Sequence, residues 1–167
     1  MAQPSNDKVG PQPEIVQLLA SPVHRYEGRP ADGPAPAPEG ELVERVEIRA
    51  RQGIVGDRYF GQAAHANALV TIVAEESLPP GASLVQLRRN ILLRGVAVDD
   101  LVGSVLVLDS GDGPVRFAVR RPANPCAWMD ATIGPGARAA LRGKGGVRTV
   151  PLTDGTLRLG PVTVAIE

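Results

Sequence analysis

Hydrophobic and polar positions alternate in several short stretches of this chain, and nearly every stretch ends at glycine or proline. Within residues 42–50, Val46 and Ile48 fall on one face and Arg45, Glu47 and Arg49 on the other, which predicts a half-buried strand. Residues 68–73 form a nearly continuous apolar, largely β-branched run and predict a central strand. Further strands are expected at Glu14–Leu19, residues 90–95 and residues 161–166. Residues 103–108 and 115–119 flank Asp109-Ser110-Gly111-Asp112-Gly113-Pro114, the pattern of a hairpin. Residues 147–150 and 156–159 are joined through Asp154-Gly155, a strong turn dipeptide that predicts a second hairpin.

Helical signals are few. Residues 75–78 allow one turn before Pro79-Pro80 stops it. In residues 136–142, Ala137, Ala139, Ala140 and Leu141 favour a helix, with Gly143 as its stop. Some eight short strands with one or two short helices predict a mainly β fold, an antiparallel barrel or sandwich of short strands. Residues 28–40 carry four prolines and three glycines and read as an extended loop. Only 27 residues precede that loop, too few for a separate domain. The expected organisation is a flexible tail over residues 1–13 and a single domain over residues 14–167.

Net charge of zero offers no general attraction to nucleic acid or to anionic membranes. No apolar stretch approaches the ~20 residues of a membrane helix, and the polar start is not a secretory signal. With a single cysteine, these features fit a reducing cytoplasm. Sixteen of the 18 basic residues are arginine, a bias that a GC-rich genome also produces, so only particular arginines argue for function.

Chemistry concentrates around Cys126. A lone thiol makes no internal disulfide and is either an inert small hydrophobe or a reactive group. Between Gly113 and Thr153 stand Arg116, Arg120, Arg121, Arg138, Arg142, Lys144 and Arg148 against one acid, Asp130. Clustered cations favour an ionised thiol and hold anions near it, and a soft thiolate suits a thiophilic metal. On a regular strand Arg120 and Arg121 would face opposite sides, so only one is expected to point at the sulfur. His65 is a candidate proton donor or a plain loop residue. Trp128 is expected to pack beside the site. Lys8 and Lys144, the two lysines, are not placed for a Schiff base.

Five motifs then occur in order: Gly53-Ile54-Val55-Gly56-Asp57-Arg58-Tyr59-Phe60-Gly61, Arg88-Arg89-Asn90, Asn124-Pro125-Cys126, Gly134-Pro135-Gly136 and Gly145-Gly146-Val147-Arg148. The set resembles the MOSC domain, the C-terminal domain of molybdenum cofactor sulfurases, which also occurs as small stand-alone bacterial proteins. The resemblance spans about residues 14–165. It implies a β-rich, barrel-like fold and a cysteine that either accepts sulfur or ligates molybdenum. It also implies a relation to the mitochondrial amidoxime-reducing component, a reductase of N-hydroxylated compounds. Carried onto this chain, Cys126 is the catalytic thiol and metal ligand, and Arg58, Arg89 and Asn90 match the motifs expected to bind molybdenum cofactor, a pterin dithiolene ending in a phosphate; Asp57 beside Arg58 and Arg121 near the thiol are further candidates for that binding.

Residues 62–67 lack the Gly-Arg-Gln run that many members carry before their equivalent strand. For Asp57-Arg58 the residues equally suggest a turn closed by its own ion pair. Three functions stay open: a cofactor-binding reductase fed by an electron-transfer partner, a sulfur carrier that receives a persulfide on Cys126 from a cysteine desulfurase, and a plain binding module in which the thiol is inert.

Overall fold

The computed structural model describes residues 10–167. Of the tail expected over residues 1–13, residues 1–9 lie outside the described ones, and the Pro13 carbonyl accepts the Val162 N–H at 3.0 Å. In chain order the elements are β1 (Glu14–Leu19), β2 (Leu42–Val43), β3 (Arg45–Arg49), β4 (Gly53–Ile54), β5 (Val70–Ala74), α1 (Leu84–Leu87) and β6 (Ile91–Arg94). There follow β7 (Val105–Asp109), β8 (Val115–Pro122), α2 (Trp128–Thr132), α3 (Ala137–Ala140), β9 (Val147–Pro151), β10 (Gly155–Arg158), β11 (Gly160–Pro161) and β12 (Thr163–Ile166).

Nine strands form one sheet in the order β11-β1-β6-β5-β9-β8-β7-β12, with β2 attached to β1, and β10-β3-β4 form a second. The fold is mainly β with short strands, as the pattern predicts. Its hydrogen bonding runs as an open path from β11 to β12 and does not close into a ring. Pairing is antiparallel except between β5 and β6, which run parallel. That one parallel pair requires a crossover, and the chain makes it through the segment carrying α1.

Period-two alternation sorts the strands' side chains between two cores. Leu18, Val70, Ile72, Ile91 and Leu93 enter the main core with Phe117, Ile48 and Leu157. Their neighbours Leu19, Val73 and Leu92 point the other way, where Leu84, Leu87, Trp128, Met129 and Leu141 from the three helices cover them. All five residues of β5 are therefore buried, which is why its sequence reads as one continuous apolar run. Each fully buried Leu or Ile contributes roughly 1.5–3 kcal/mol through surface removed from water.

The expected hairpin between residues 147–150 and 156–159 does not form. β9 pairs β5 and β8, whereas β10 pairs β3 in the other sheet. Asp154 serves the crossing instead, its Oδ1 accepting the Ala50 N–H at 2.8 Å. Gly155 is needed for fit, since a Cβ there would lie 2.6 Å from Val115 Cγ2.

Candidate functional site

Cys126 sits on the loop between β8 and α2, and its side chain is exposed. The loop is held from below at several points. Ala123 N–H donates to the Gly146 carbonyl at 2.8 Å, and Met129 N–H donates to the Cys126 carbonyl at 3.0 Å. Arg89, itself buried, donates from Nε to the Gly145 carbonyl at 3.0 Å and from Nη2 to the Ala123 and Asn124 carbonyls at 3.1 and 3.4 Å. A Cβ on Gly145 would collide with the Ala123 carbonyl, and one on Gly146 with the Ile72 carbonyl. The two glycines are thus the floor on which the thiol loop rests.

The far end of α2 is fixed by Tyr26. Its ring stacks on Trp128 at 4.8 Å between centroids, 7° from parallel, and its hydroxyl donates to the Gln86 carbonyl and meets Thr132 Oγ1 at 3.3 Å. Burial pushes the Tyr26 phenol up from its ordinary value.

Positive charge around this loop is poorly compensated. Of the seven basic residues between Gly113 and Thr153, Arg116 alone forms an ion pair among the described residues, with Glu167. Arg148 on β9 and Arg121 on β8 are cross-strand partners. Burial, then the Arg121 charge, push the Arg148 guanidinium down, while Tyr59 and Cys126 act in the opposite direction. Burial, then the Arg148 charge, push Arg89 down to about 10, again opposed by Cys126 and Tyr59. One electrostatic neighbourhood therefore holds Cys126, Arg89, Arg148, Arg121 and Tyr59. It is short of negative charge, so an anion placed there relieves two desolvated cations.

A second cluster lies beside Tyr59. Arg58 pairs with buried Asp57 at 3.2 Å, donates to the Arg88 carbonyl at 3.0 Å and stands 4.5 Å over the Tyr59 ring. Asp57 also accepts the N–H groups of Ser21 and Tyr59 at 3.1 and 3.2 Å. The expected turn closed by its own ion pair is therefore present, and Asp57 sets the direction of Arg58. Together with His24, Arg25, Tyr26, Tyr59 and Arg88, Arg58 lines a cavity of about 100 Å³. Arg88 is buried and pairs with Glu41 at 2.7 Å, and its Nε has no partner among the described residues. Its left-handed φ of 58° ends α1 and turns the chain between Arg88, which reaches Glu41, and Arg89, which reaches the thiol loop.

Three expectations need correction. Asn90 is fully buried and staples strands: its Oδ1 accepts Thr71 N–H and Oγ1–H at 3.0 and 3.1 Å, and its Nδ2 donates to the Leu19 carbonyl at 3.1 Å. It has no face toward a ligand and is structural. Arg89 positions the loop through three carbonyls rather than presenting its fork to solvent. Arg120 and Arg121 do not split to opposite sides. Val119 pairs Thr149 and Arg121 pairs the adjacent Arg148, so Arg120 is the extra residue of a β-bulge. Both arginines line a cavity of about 400 Å³ with residues 63–68, His65 among them.

Arg148 and Tyr59 lie within the ordered motifs without being expected site residues, and Tyr26, His24 and Arg25 lie outside those motifs. His65 and His24 flank Tyr59, with ring centroids at 4.6 and 5.5 Å. A cavity of about 510 Å³ lies between Glu76, Val96, Asp99, Asp100 and Lys144, with Cys126 not in its lining. One of its lining residues, Asp99, accepts the Gly146 N–H at its Oδ1 at 2.9 Å.

No helix among the described residues is long and apolar enough to cross a membrane. No protein-family model and no curated protein matches the chain in sequence. Solved structures do match in shape. YuaD of Bacillus subtilis superposes with a TM-score of 0.67 at 14% identity, over 93% of this chain and 95% of its own. YiiM of Geobacillus stearothermophilus gives 0.56 at 16% identity, over 92% and 75%. YiiM of Escherichia coli gives 0.53 at 13% identity, over 91% and 69%. Likeness at such low identity carries architecture and not activity: the chain has the MOSC-like fold of these proteins.

Proposed function

We propose that this protein binds molybdenum cofactor, with Cys126 as the protein's sulfur ligand to the metal and arginine side chains holding the phosphate, and that it reduces N-hydroxylated compounds with electrons from a redox partner. The observation that carries this reading is the uncompensated set of guanidiniums around an exposed thiol. The donor set fits the group: a single soft ligand suits a metal that brings its other sulfur ligands with it. The small cavity walled by Arg25, Arg58 and Arg88 suits a terminal phosphate. When bound, the cofactor supplies the electron exchange with substrate.

The chain's own residues do the rest. Asp57 fixes the direction of Arg58 through its ion pair. Arg89 and the Gly145-Gly146 floor hold the thiol loop at a set height. Arg121 and Arg148 keep an anionic ligand close to the sulfur. The stacked pair Tyr26 and Trp128 ties α2, and so the loop before it, to α1.

The deciding experiment is elemental and pterin analysis of protein purified from a molybdenum-replete host. Wild type should carry molybdenum and pterin, and Cys126→Ala should lose the metal. Metal-free, pterin-free wild type would overturn the reading.

The exposure of Cys126 also favours a second reading, a sulfur carrier handing on a persulfide, because a partner's sulfur can reach an open thiol directly. Intact mass after treatment with a cysteine desulfurase and cysteine would then rise by one sulfur atom in wild type and stay unchanged in Cys126→Ala. No added sulfur on wild type would dismiss this alternative.

A further inference from the structure

We propose that the cavity between residues 63–68 and the bulged pair Arg120 and Arg121 is a substrate subsite that takes the dianionic group of a small organic phosphate monoester. This deepens the reading of Cys126 as the reactive centre and rests on it. The cavity measures about 400 Å³, room for more than an inorganic ion. Its charged groups are the two guanidiniums, and neither forms an ion pair among the described residues, whereas eight other arginines do. Two adjacent arginines on a regular strand would diverge. Here the register slip between Val119 and Arg121 brings both to one opening. Two guanidinium-bearing residues lining one cavity suit a dianion with three terminal oxygens better than a single carboxylate.

The opposite wall supplies what the rest of such a molecule needs. Ala63, Ala64, Ala66 and Ala68 form a low apolar surface, and His65 and Asn67 offer hydrogen-bonding groups at its rim. A 3-10 turn at Ala63–His65, continued by the Ala68 N–H bond to the His65 carbonyl at 2.8 Å, fixes that wall. The subsite is joined to the thiol region by one cross-strand step, from Arg121 to its partner Arg148. Substrates of the same reaction class without an anionic group would bind more weakly.

The test needs neither metal nor turnover. The full chain, as purified, is titrated with phenyl phosphate, phenol and inorganic phosphate while amide and arginine Nε–H signals are followed by nuclear magnetic resonance. Phenyl phosphate should shift the Arg120 and Arg121 Nε–H signals and the amides of residues 63–68, in wild type and equally in Cys126→Ser. Phenol should shift none of them. Binding should weaken roughly tenfold or more in Arg120→Gln/Arg121→Gln, as expected for loss of charge-assisted bonds. Both side chains are exposed and free of ion pairs among the described residues, so the variant should keep the wild-type spectrum elsewhere.

Unchanged affinity in the double variant, shifts confined to other regions, or loss of binding in Cys126→Ser would overturn the subsite. Equal affinity for inorganic phosphate would reduce it to a general anion hole and overturn the substrate assignment. Failure of the cofactor reading shows separately, as missing molybdenum in the loaded protein.

Discussion

Replacing Arg89 by lysine should destabilise this protein at least as much as replacing it by methionine, against the usual sense of a conservative change. Arg89 holds the carbonyls of Gly145 and Ala123 at 3.0 and 3.1 Å. Leaving a buried acceptor unpaired costs about 1–3 kcal/mol, so losing both bonds costs roughly 2–6 kcal/mol. An opposing effect comes from the cation itself. Burial pushes the guanidinium down to about 10. Keeping it charged at neutral pH therefore costs on the order of 3 kcal/mol.

Methionine removes the bonds and the buried charge together, so the net change runs from a gain of about 1 kcal/mol to a loss of about 3 kcal/mol. Lysine keeps a buried charge that is more strongly hydrated, yet one nitrogen cannot reproduce the fork that spans the carbonyls. The expected loss is about 2–5 kcal/mol. Urea denaturation at pH 7 measures both variants, and iodoacetamide labelling of the folded protein reports whether the Cys126 loop has come loose. Lysine matching wild type while methionine loses more than about 4 kcal/mol would show that charge, and not the carbonyl clamp, is what Arg89 supplies.

Three further outcomes follow from the same geometry. Gly146→Ala should lose well over 2 kcal/mol or fail to fold, because the new Cβ meets the Ile72 carbonyl at a φ of 89°; thermal melting compared with Gly143→Ala, an open position, checks this. Asn90→Ala should cost about 2–4 kcal/mol by urea denaturation, and the surviving folded fraction should bind cofactor like wild type, since the side chain's hydrogen bonds among the described residues go to Thr71 and Leu19; selective loss of binding would refute the stapling role. Burial raises the Tyr26 phenol, so the unfolded chain releases that proton first, and the contribution, complete below the ordinary value of 10.0, is lost as pH climbs above it. Melting temperatures of wild type and Tyr26→Phe measured across pH 8–11 should therefore show a steeper alkaline fall in wild type, and parallel curves would contradict it.

Much of the architecture was legible because it depends on side-chain period. β3 and β5 read directly as half-buried and fully buried strands, since alternation or its absence is what burial on one face or two demands. The Asp154-Gly155 turn misled because a turn dipeptide fixes local backbone direction and not which sheet receives the next strand. α1 carried a signal that the reading passed over: Ser83 and Gln86 form a capping box, the spacing that starts a helix. Among the candidate residues, Cys126 and Arg58 stand out in the sequence as unusual groups in ordered motifs.

Asn90 was not, because a motif residue looks the same in sequence whether it meets a ligand or staples two strands. Arg148 went unsingled because its importance comes from pairing across strands with Arg121, a contact 27 positions away in sequence. The bulge at Arg120 left no sequence mark either; it follows from how β8 and β9 register.

Molybdenum X-ray absorption on the loaded protein tests the central claim most directly, because it counts the sulfur atoms around the metal. Wild type should show one sulfur more than Cys126→Ser prepared with the same cofactor. An identical sulfur shell in the two proteins would mean that position 126 does not ligate the metal.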